Sequence, residues 1–202
     1  MAGSRLVREA ITRGHTVTGV ARAIGSGDAP ALCTSFLEAD AAAPEVVERV
    51  AAEHDVIILA TRPSADAEPT VRSVVGSVLD AAGKHGRRVL VVGGAAPLRS
   101  NSGSDRLVID DIRLVPAPWR AIAQASIDQL DACTGHSADW TYVSPPATFE
   151  PGTRTGGFRR GETTLLTAED GVSRISAEDF AIAVLDEVES PRADVRHFTV
   201  GY

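Results

Sequence analysis

With 202 residues and a formal net charge of −7, the chain lacks the basic face that sequence-independent nucleic-acid binding requires, so no nucleic acid is expected as a partner. Its 44% hydrophobic content suffices for one substantial core, and a single domain over residues 1–202 is expected. No apolar run approaches the roughly 20 residues that span a bilayer, and Met1 leads directly into a helical pattern, so the sequence predicts a cytoplasmic protein without membrane partners.

Leu6, Val7, Ala10 and Ile11 recur at helical spacing, Gly14 stops that helix, and His15 to Val20 reads as a strand ending in Ala21-Arg22. A short apolar run, Thr34 to Leu37, closes on Glu38-Ala39-Asp40. Pro44 suits the first turn of a helix striped by Val46, Val47, Val50 and Ala51. Asp55 to Ala60 is a near-continuous apolar strand, the kind that parallel sheets bury on both faces. Val71, Val74, Val75, Val78, Leu79 and Ala82 stripe the next helix, and Arg88 to Gly94 is another buried strand.

A polar loop rich in Ser, Gly and Pro then runs from about Ala95 to Pro118, long enough for function or mobility. Ile122, Ala123, Ile127 and Leu130 stripe a helix, and Asp139 to Pro146 is a strand stopped by two prolines. Beyond it the alternation ends. Thr163 to Ser176 reads as a hairpin around Asp170-Gly171. Ser176 with Asp179 has capping-box spacing, ahead of a helix faced by Phe180, Ala181, Val184, Leu185 and Val188. His197 to Tyr202 closes the chain as a strand.

Repeated β-α units with apolar strands predict a parallel α/β sheet with helices on both faces. The strand at Asp55 to Ala60 should lie in its centre, and residues 147–202 should form a smaller substrate-side region. Ligands of such sheets bind beyond the carboxyl ends of the strands. That rule selects Ala21-Arg22, Asp40, Ala60-Thr61-Arg62, Gly93-Gly94 and Ser144-Pro145-Pro146. Cys33 and Cys133 are far apart and fit reduced core thiols. His54, His85, His136 and His197 are scattered, and no His, Asp or Glu cluster has metal-ligand spacing, so no metal is expected. The absence of a G-x-S-x-G turn argues against an α/β-hydrolase.

Six segments carry a resemblance: AGSRLVREAITRGHTVTGVAR, FLEAD, DVIILATRP, RVLVVGGAAPL, DWTYVSPPATFEPGTRTG and SRISAEDFAIAVLDE. In this order the chain resembles atypical short-chain dehydrogenase/reductases of the NmrA-like, NAD(P)-binding type, some of which are flavin reductases. The resemblance implies a Rossmann-like fold, NADP or NAD as cofactor, and flavin or a similar small aromatic molecule as acceptor. The family opens with a strand and a Gly-Ala-Thr-Gly-x-x-Gly turn, and Gly3 stands where the last glycine belongs. The family's first strand, central between Thr16 to Val20 and Asp55 to Ala60, then has no counterpart. Three arrangements stay open: a shortened start, direct pairing of the two neighbours, or another segment or chain filling the gap.

The same resemblance assigns roles. Gly3 and Ser4 lie at the positive start of the first helix, near the pyrophosphate. Arg22 contacts the adenosine 2′-phosphate of NADP, against the alternative of a solvated surface arginine. Asp40 lies by the adenine, or caps the helix near Pro44. Ala60, Thr61 and Arg62 approach the cofactor, with Arg62 open to clamping a phosphate. Gly93 and Gly94 stand where catalytic relatives carry a serine or threonine, and Ser144, Pro145 and Pro146 flank the nicotinamide. The family's Tyr-x-x-x-Lys dyad is absent, because Lys84 is the one lysine and neither Tyr142 nor Tyr202 has that spacing to it. The catalytic residues are therefore unassigned. Two functions follow: an NAD(P)H-dependent reductase of flavin or a similar ring, or a non-catalytic dinucleotide-binding sensor.

Overall fold

Alternation within the strands decides the layers. The computed structural model describes residues 1–23, 33–61, 70–101 and 106–202. The first half of the chain gives α1 (Ala2–Thr12), β1 (Thr18–Ala21), β2 (Ser35–Glu38), α2 (Pro44–Glu53), β3 (Val56–Leu59), α3 (Val71–Lys84) and β4 (Arg88–Val92). The second gives α4 (Arg120–Thr134), β5 (Trp140–Ser144), β6 (Thr148–Glu150), β7 (Arg159–Gly161), β8 (Arg174–Ser176), α5 (Ala177–Glu189) and β9 (His197–Gly201). Val89 and Val91 of β4 join the layer that holds Val47 and Ala51 of α2, Val75 and Leu79 of α3, and Cys133 of α4. Leu90 and Val92 point the other way, into the layer of Leu6 and Ala10 of α1 with Phe180 and Val184 of α5. The result is the α/β sheet with helices on both faces that the sequence predicts.

Local chemistry sets the ends of the elements. Gly14, at φ 88°, lets the chain turn after α1. Pro44 opens α2, the Thr70 hydroxyl accepts the Ser73 N–H at the start of α3, and the Ser176 hydroxyl accepts the Asp179 N–H at the start of α5.

The sheet differs from expectation in one main respect. A five-stranded sheet runs β3-β4-β5-β9-β7, parallel except where β7 meets β9, while β1 and β2 form a separate parallel pair. Among the described residues the strand at Asp55 to Ala60 is therefore an edge strand of its sheet, not a central one. The two neighbours of the expected first strand have not paired directly. α1 is held to α5 by Arg5 to Glu178 at 3.1 Å and by Arg13 to Asp186 and Glu189 at 2.8 Å each. Arg154 adds a two-pronged contact to Glu9, at 2.9 and 3.0 Å.

The C-terminal region also departs from the reading above. A tight turn does form at Ala168 to Val172, with Gly171 at φ 80°. Its arms do not zip into a hairpin. Leu165 donates its N–H to Arg99 O at 2.9 Å, and β8 pairs in parallel with β6. Burial wins over local pairing here, because Leu165 joins Leu98, Val108 and Val115 in a small core of its own. That core orders the described part of the Ala95 to Pro118 loop, which includes a 3₁₀ turn at Val108–Asp110.

Candidate functional site

β3, β4 and β5 are parallel neighbours, so their carboxyl ends share one side of the sheet. α1 starts on that side, because Arg5 pairs with Glu178 at the start of α5 and Arg13 with Glu189 at its end, and α5 leads back to the start of β9, which runs parallel to β5. The ends of β3, β4 and β5 thus bring Ala60, Thr61, Gly93, Gly94, Ser144, Pro145 and Pro146 to one side, while Arg22 and Asp40 follow the separate β1-β2 pair. Arg22 and Thr61 are exposed, Ala60 is half-buried, and Arg62 lies outside the described residues. Asp40 is exposed and accepts the Ala42 N–H at 2.9 Å. It closes the turn ahead of α2 and does not cap the helix, whose N-cap is Ala43. Pro145 and Pro146 are buried where β5 ends.

The start of α1 offers donors. The first N–H groups of a helix have no partner within it and carry the positive end of its dipole. Around Gly3 there is open space: a Cβ built there would meet nothing within 4 Å. Ser4 turns its hydroxyl back to Met1 O at 3.1 Å. Arg22, just past β1, has an exposed side chain.

Gly93 and Gly94 have a second reason to be glycine. A Cβ on Gly93 would lie 2.0 Å from the Tyr142 ring, and one on Gly94 would lie 2.5 Å from Ser126 Oγ. The Tyr142 hydroxyl passes beneath them, 2.9 Å from Ser126 O and 3.2 Å from Gln129 Oε1. Burial pushes this phenol far above its ordinary pKa. Tyr142 is therefore a core residue and no proton donor to a ligand. Lys84 is occupied elsewhere, 2.6 Å from Glu48.

Ser144 is equally committed. Its hydroxyl lies 2.9 Å from His197 Nε2, and its carbonyl accepts from the Thr199 hydroxyl at 2.8 Å. Burial pulls the His197 pKa down to about 4, so the ring is neutral near neutral pH. Cys133 is a buried thiol pushed up to about 12 by the same cause. Among the described residues no three His, Cys, Asp or Glu side chains are grouped to hold a metal ion.

One cluster escaped the sequence reading. The Asp179 carboxylate, buried at the start of α5, accepts from Thr155 N–H at 2.8 Å, Gly156 N–H at 2.9 Å, Thr155 Oγ1 at 2.5 Å and the Tyr202 hydroxyl at 2.8 Å. Burial pushes its pKa up, but these donors together hold it below the ordinary value. The capping box is thus only half formed, because Asp179 turns toward residues 155 and 156 while Ser176 N–H goes to the Tyr202 hydroxyl at 3.2 Å. The Ser176-x-x-Asp179 spacing was the available signal, and its partner lay 24 residues away. A groove of about 830 Å³ lies by Tyr202, Arg159 and Arg174, and none of the residues selected from the sequence lines it.

Parallel β-α units with helices on both faces of the sheet define a Rossmann-type fold. The chain belongs to the NAD(P)H-binding family, whose profile matches residues 1–188. It is 32% identical to the uncharacterized Bacillus subtilis protein YwnB, over 98% of this chain and 92% of that one. A Burkholderia pseudomallei structure, provisionally named an exported protein, is 36% identical, with a TM-score of 0.84 over 100% of this chain and 95% of its own. A Streptococcus pneumoniae structure, provisionally named an NADH-flavin reductase, is 27% identical, with a TM-score of 0.86 over 99% and 93%. No helix among the described residues is long and apolar enough to cross a membrane.

Proposed function

We propose that the protein is an NAD(P)H-dependent reductase that passes hydride to a flavin or a similar small aromatic acceptor. The observation that carries this reading is the commitment of Tyr142 to the core, where it is fully buried and donates to Ser126 or Gln129. An electron-deficient ring accepts hydride when held against the nicotinamide, and it needs positioning more than a dedicated protein acid. The streptococcal relative's provisional name points to the same acceptor class.

The dinucleotide supplies the hydride when bound. The chain's own residues would hold it: the start of α1 at Gly3 and Ser4 would take the pyrophosphate, Arg22 the 2′-phosphate of NADP, and Asp40 the adenine. Ala60 and Thr61 would line the path of the cofactor, and Gly93, Gly94, Ser144, Pro145 and Pro146 would flank the nicotinamide. Trp119, exposed at the start of α4, offers an aromatic surface on the side where β4 ends. A cytoplasmic setting agrees with the buried Cys133 thiol and with a reduced dinucleotide as co-substrate.

The same buried Tyr142 also favours a second reading, a dinucleotide sensor that binds without turnover. Both readings require binding. Titration with NADPH and NADH should raise the melting temperature with increasing ligand, more for NADPH. No shift with either dinucleotide would contradict both readings.

A further inference from the structure

Beyond β5 the sheet continues through β9 to β7, and the groove of about 830 Å³ opens at that corner. β9 runs parallel to β5, so Tyr202, just past its end, lies on the carboxyl side of the sheet. β7 is antiparallel to β9, and Arg159 pairs with Gly201, which brings Arg159 to the same side. Ser144 pairs with Thr199. Two strand spacings and two residues of rise then put Arg159 roughly 12 Å from Ser144 along the sheet. The facing wall is the turn from Thr167 to Asp170. The segment leading into that turn is tied to the loop after Gly94, with Arg99 N–H donating to Thr163 O at 2.7 Å and Leu165 N–H to Arg99 O at 2.9 Å. One segment thus joins the loop that follows β4 to the groove.

The walls carry both signs of charge. Arg174 is paired with Asp170 at 2.7 Å. Arg159 donates to the backbone oxygens of Thr167 and Tyr202 through Nη2 alone, and among the described residues its Nε and Nη1 have no partner. Glu169 is exposed, with no hydrogen bond or ion pair among the described residues. Tyr202 is fixed by its hydroxyl, 2.8 Å from Asp179 and 3.0 Å from Ser176 Oγ. We infer that this groove takes the uncharged, hydroxyl-rich side chain of the acceptor, the ribityl chain in a flavin, whose hydroxyls accept from Arg159 and donate to Glu169. The inference rests on the reductase reading for its ligand. Hydroxyls both donate and accept, and walls whose charges cancel give no preference for an anion. With the acceptor ring against a nicotinamide flanked by Ser144, an extended ribityl chain spans the distance to Arg159.

Titration of flavin fluorescence with the intact protein, in the presence of NADP, tests this without turnover. Lumiflavin carries a methyl group where riboflavin carries ribityl, and FMN adds a phosphate. Two hydrogen bonds to the chain should make riboflavin bind about tenfold tighter than lumiflavin. FMN should fall within about threefold of riboflavin, because exposed charges add little. Glu169→Ala should weaken riboflavin about threefold or more and leave lumiflavin unchanged, and Glu169→Gln, which keeps an acceptor, should recover part of the loss. Equal affinities for lumiflavin and riboflavin, or binding of neither, overturn the inference. So does FMN binding tighter than that range, which would make the groove an anion site, and so does an equal loss for riboflavin and lumiflavin in Glu169→Ala. The reductase reading fails separately, if riboflavin binds selectively but does not oxidise NADPH on the protein.

Discussion

Gly93 and Tyr142 occupy space that a single methyl group would contest. A Cβ on Gly93 would come within 2.0 Å of Tyr142 Cζ and 2.1 Å of its hydroxyl. Tyr142 cannot retreat, because it is fully buried and bonded to α4. Gly93→Ala should cost about 1–3 kcal/mol by overpacking, read from urea unfolding. Pairing it with Tyr142→Ala should restore part of that loss, relative to the sum of the two single changes. Simple additivity would show that the ring is not the obstacle.

Arg22 should separate the two dinucleotides. Losing a charge-assisted contact to the 2′-phosphate costs roughly 1.5–3 kcal/mol. Arg22→Ala should therefore weaken NADPH about tenfold or more in calorimetric titration and leave NADH nearly unchanged. Equal losses would show that Arg22 does not read that phosphate.

Glu187 gives the fold an acid-sensitive link. It is fully buried between Arg88 at 2.5 Å and Arg160 at 2.7 Å. Burial pushes its pKa up, but the two guanidiniums pull it below the ordinary value. A carboxyl lowered on folding stabilises fully above its unfolded pKa and loses that stabilisation as pH falls through the folded one. Glu187→Gln should therefore flatten the acid limb of the stability curve. At neutral pH it should cost about 3 kcal/mol, because two partly buried guanidiniums lose the carboxylate they share. An unchanged acid limb in pH-dependent melting would contradict the link.

Asp179 should control the segment around residues 152–157. Asp179→Asn removes a charged acceptor shared by four donors, and about 2 kcal/mol of stability should go with it. Amides of Thr155 and Gly156 should exchange faster while those of Val89 to Val92 hardly change. A uniform loss of protection would mean that Asp179 supports the whole domain and not this segment.

What the sequence revealed depended on how far apart the partners lie. β3 and β4 announce themselves as apolar runs, and the stripes of α2 and α3 fall where the side chains are buried, because local periodicity encodes burial. The carboxyl ends of the parallel neighbours β3, β4 and β5, which carry Thr61, Gly93 and Ser144, were likewise legible from the apolar runs alone. The fit of Tyr142 against Gly93 was not legible, since it spans 49 positions and a glycine gives no sign of what fills its missing side chain. The failed hairpin has a similar cause: Asp170-Gly171 encodes the turn, but Leu165 buries against Leu98 and Val108, far off in the chain. The edge position of β3 was hidden because composition reports burial and not the number of partners.

The most direct test of the reductase reading is anaerobic mixing of the protein with NADPH and FMN, following both chromophores at once. The account predicts that NADPH is oxidised and FMN reduced mole for mole, faster than without protein and in proportion to protein concentration. Saturable NADPH binding with no acceleration by FMN, or by other flavins, would contradict it and leave the sensor.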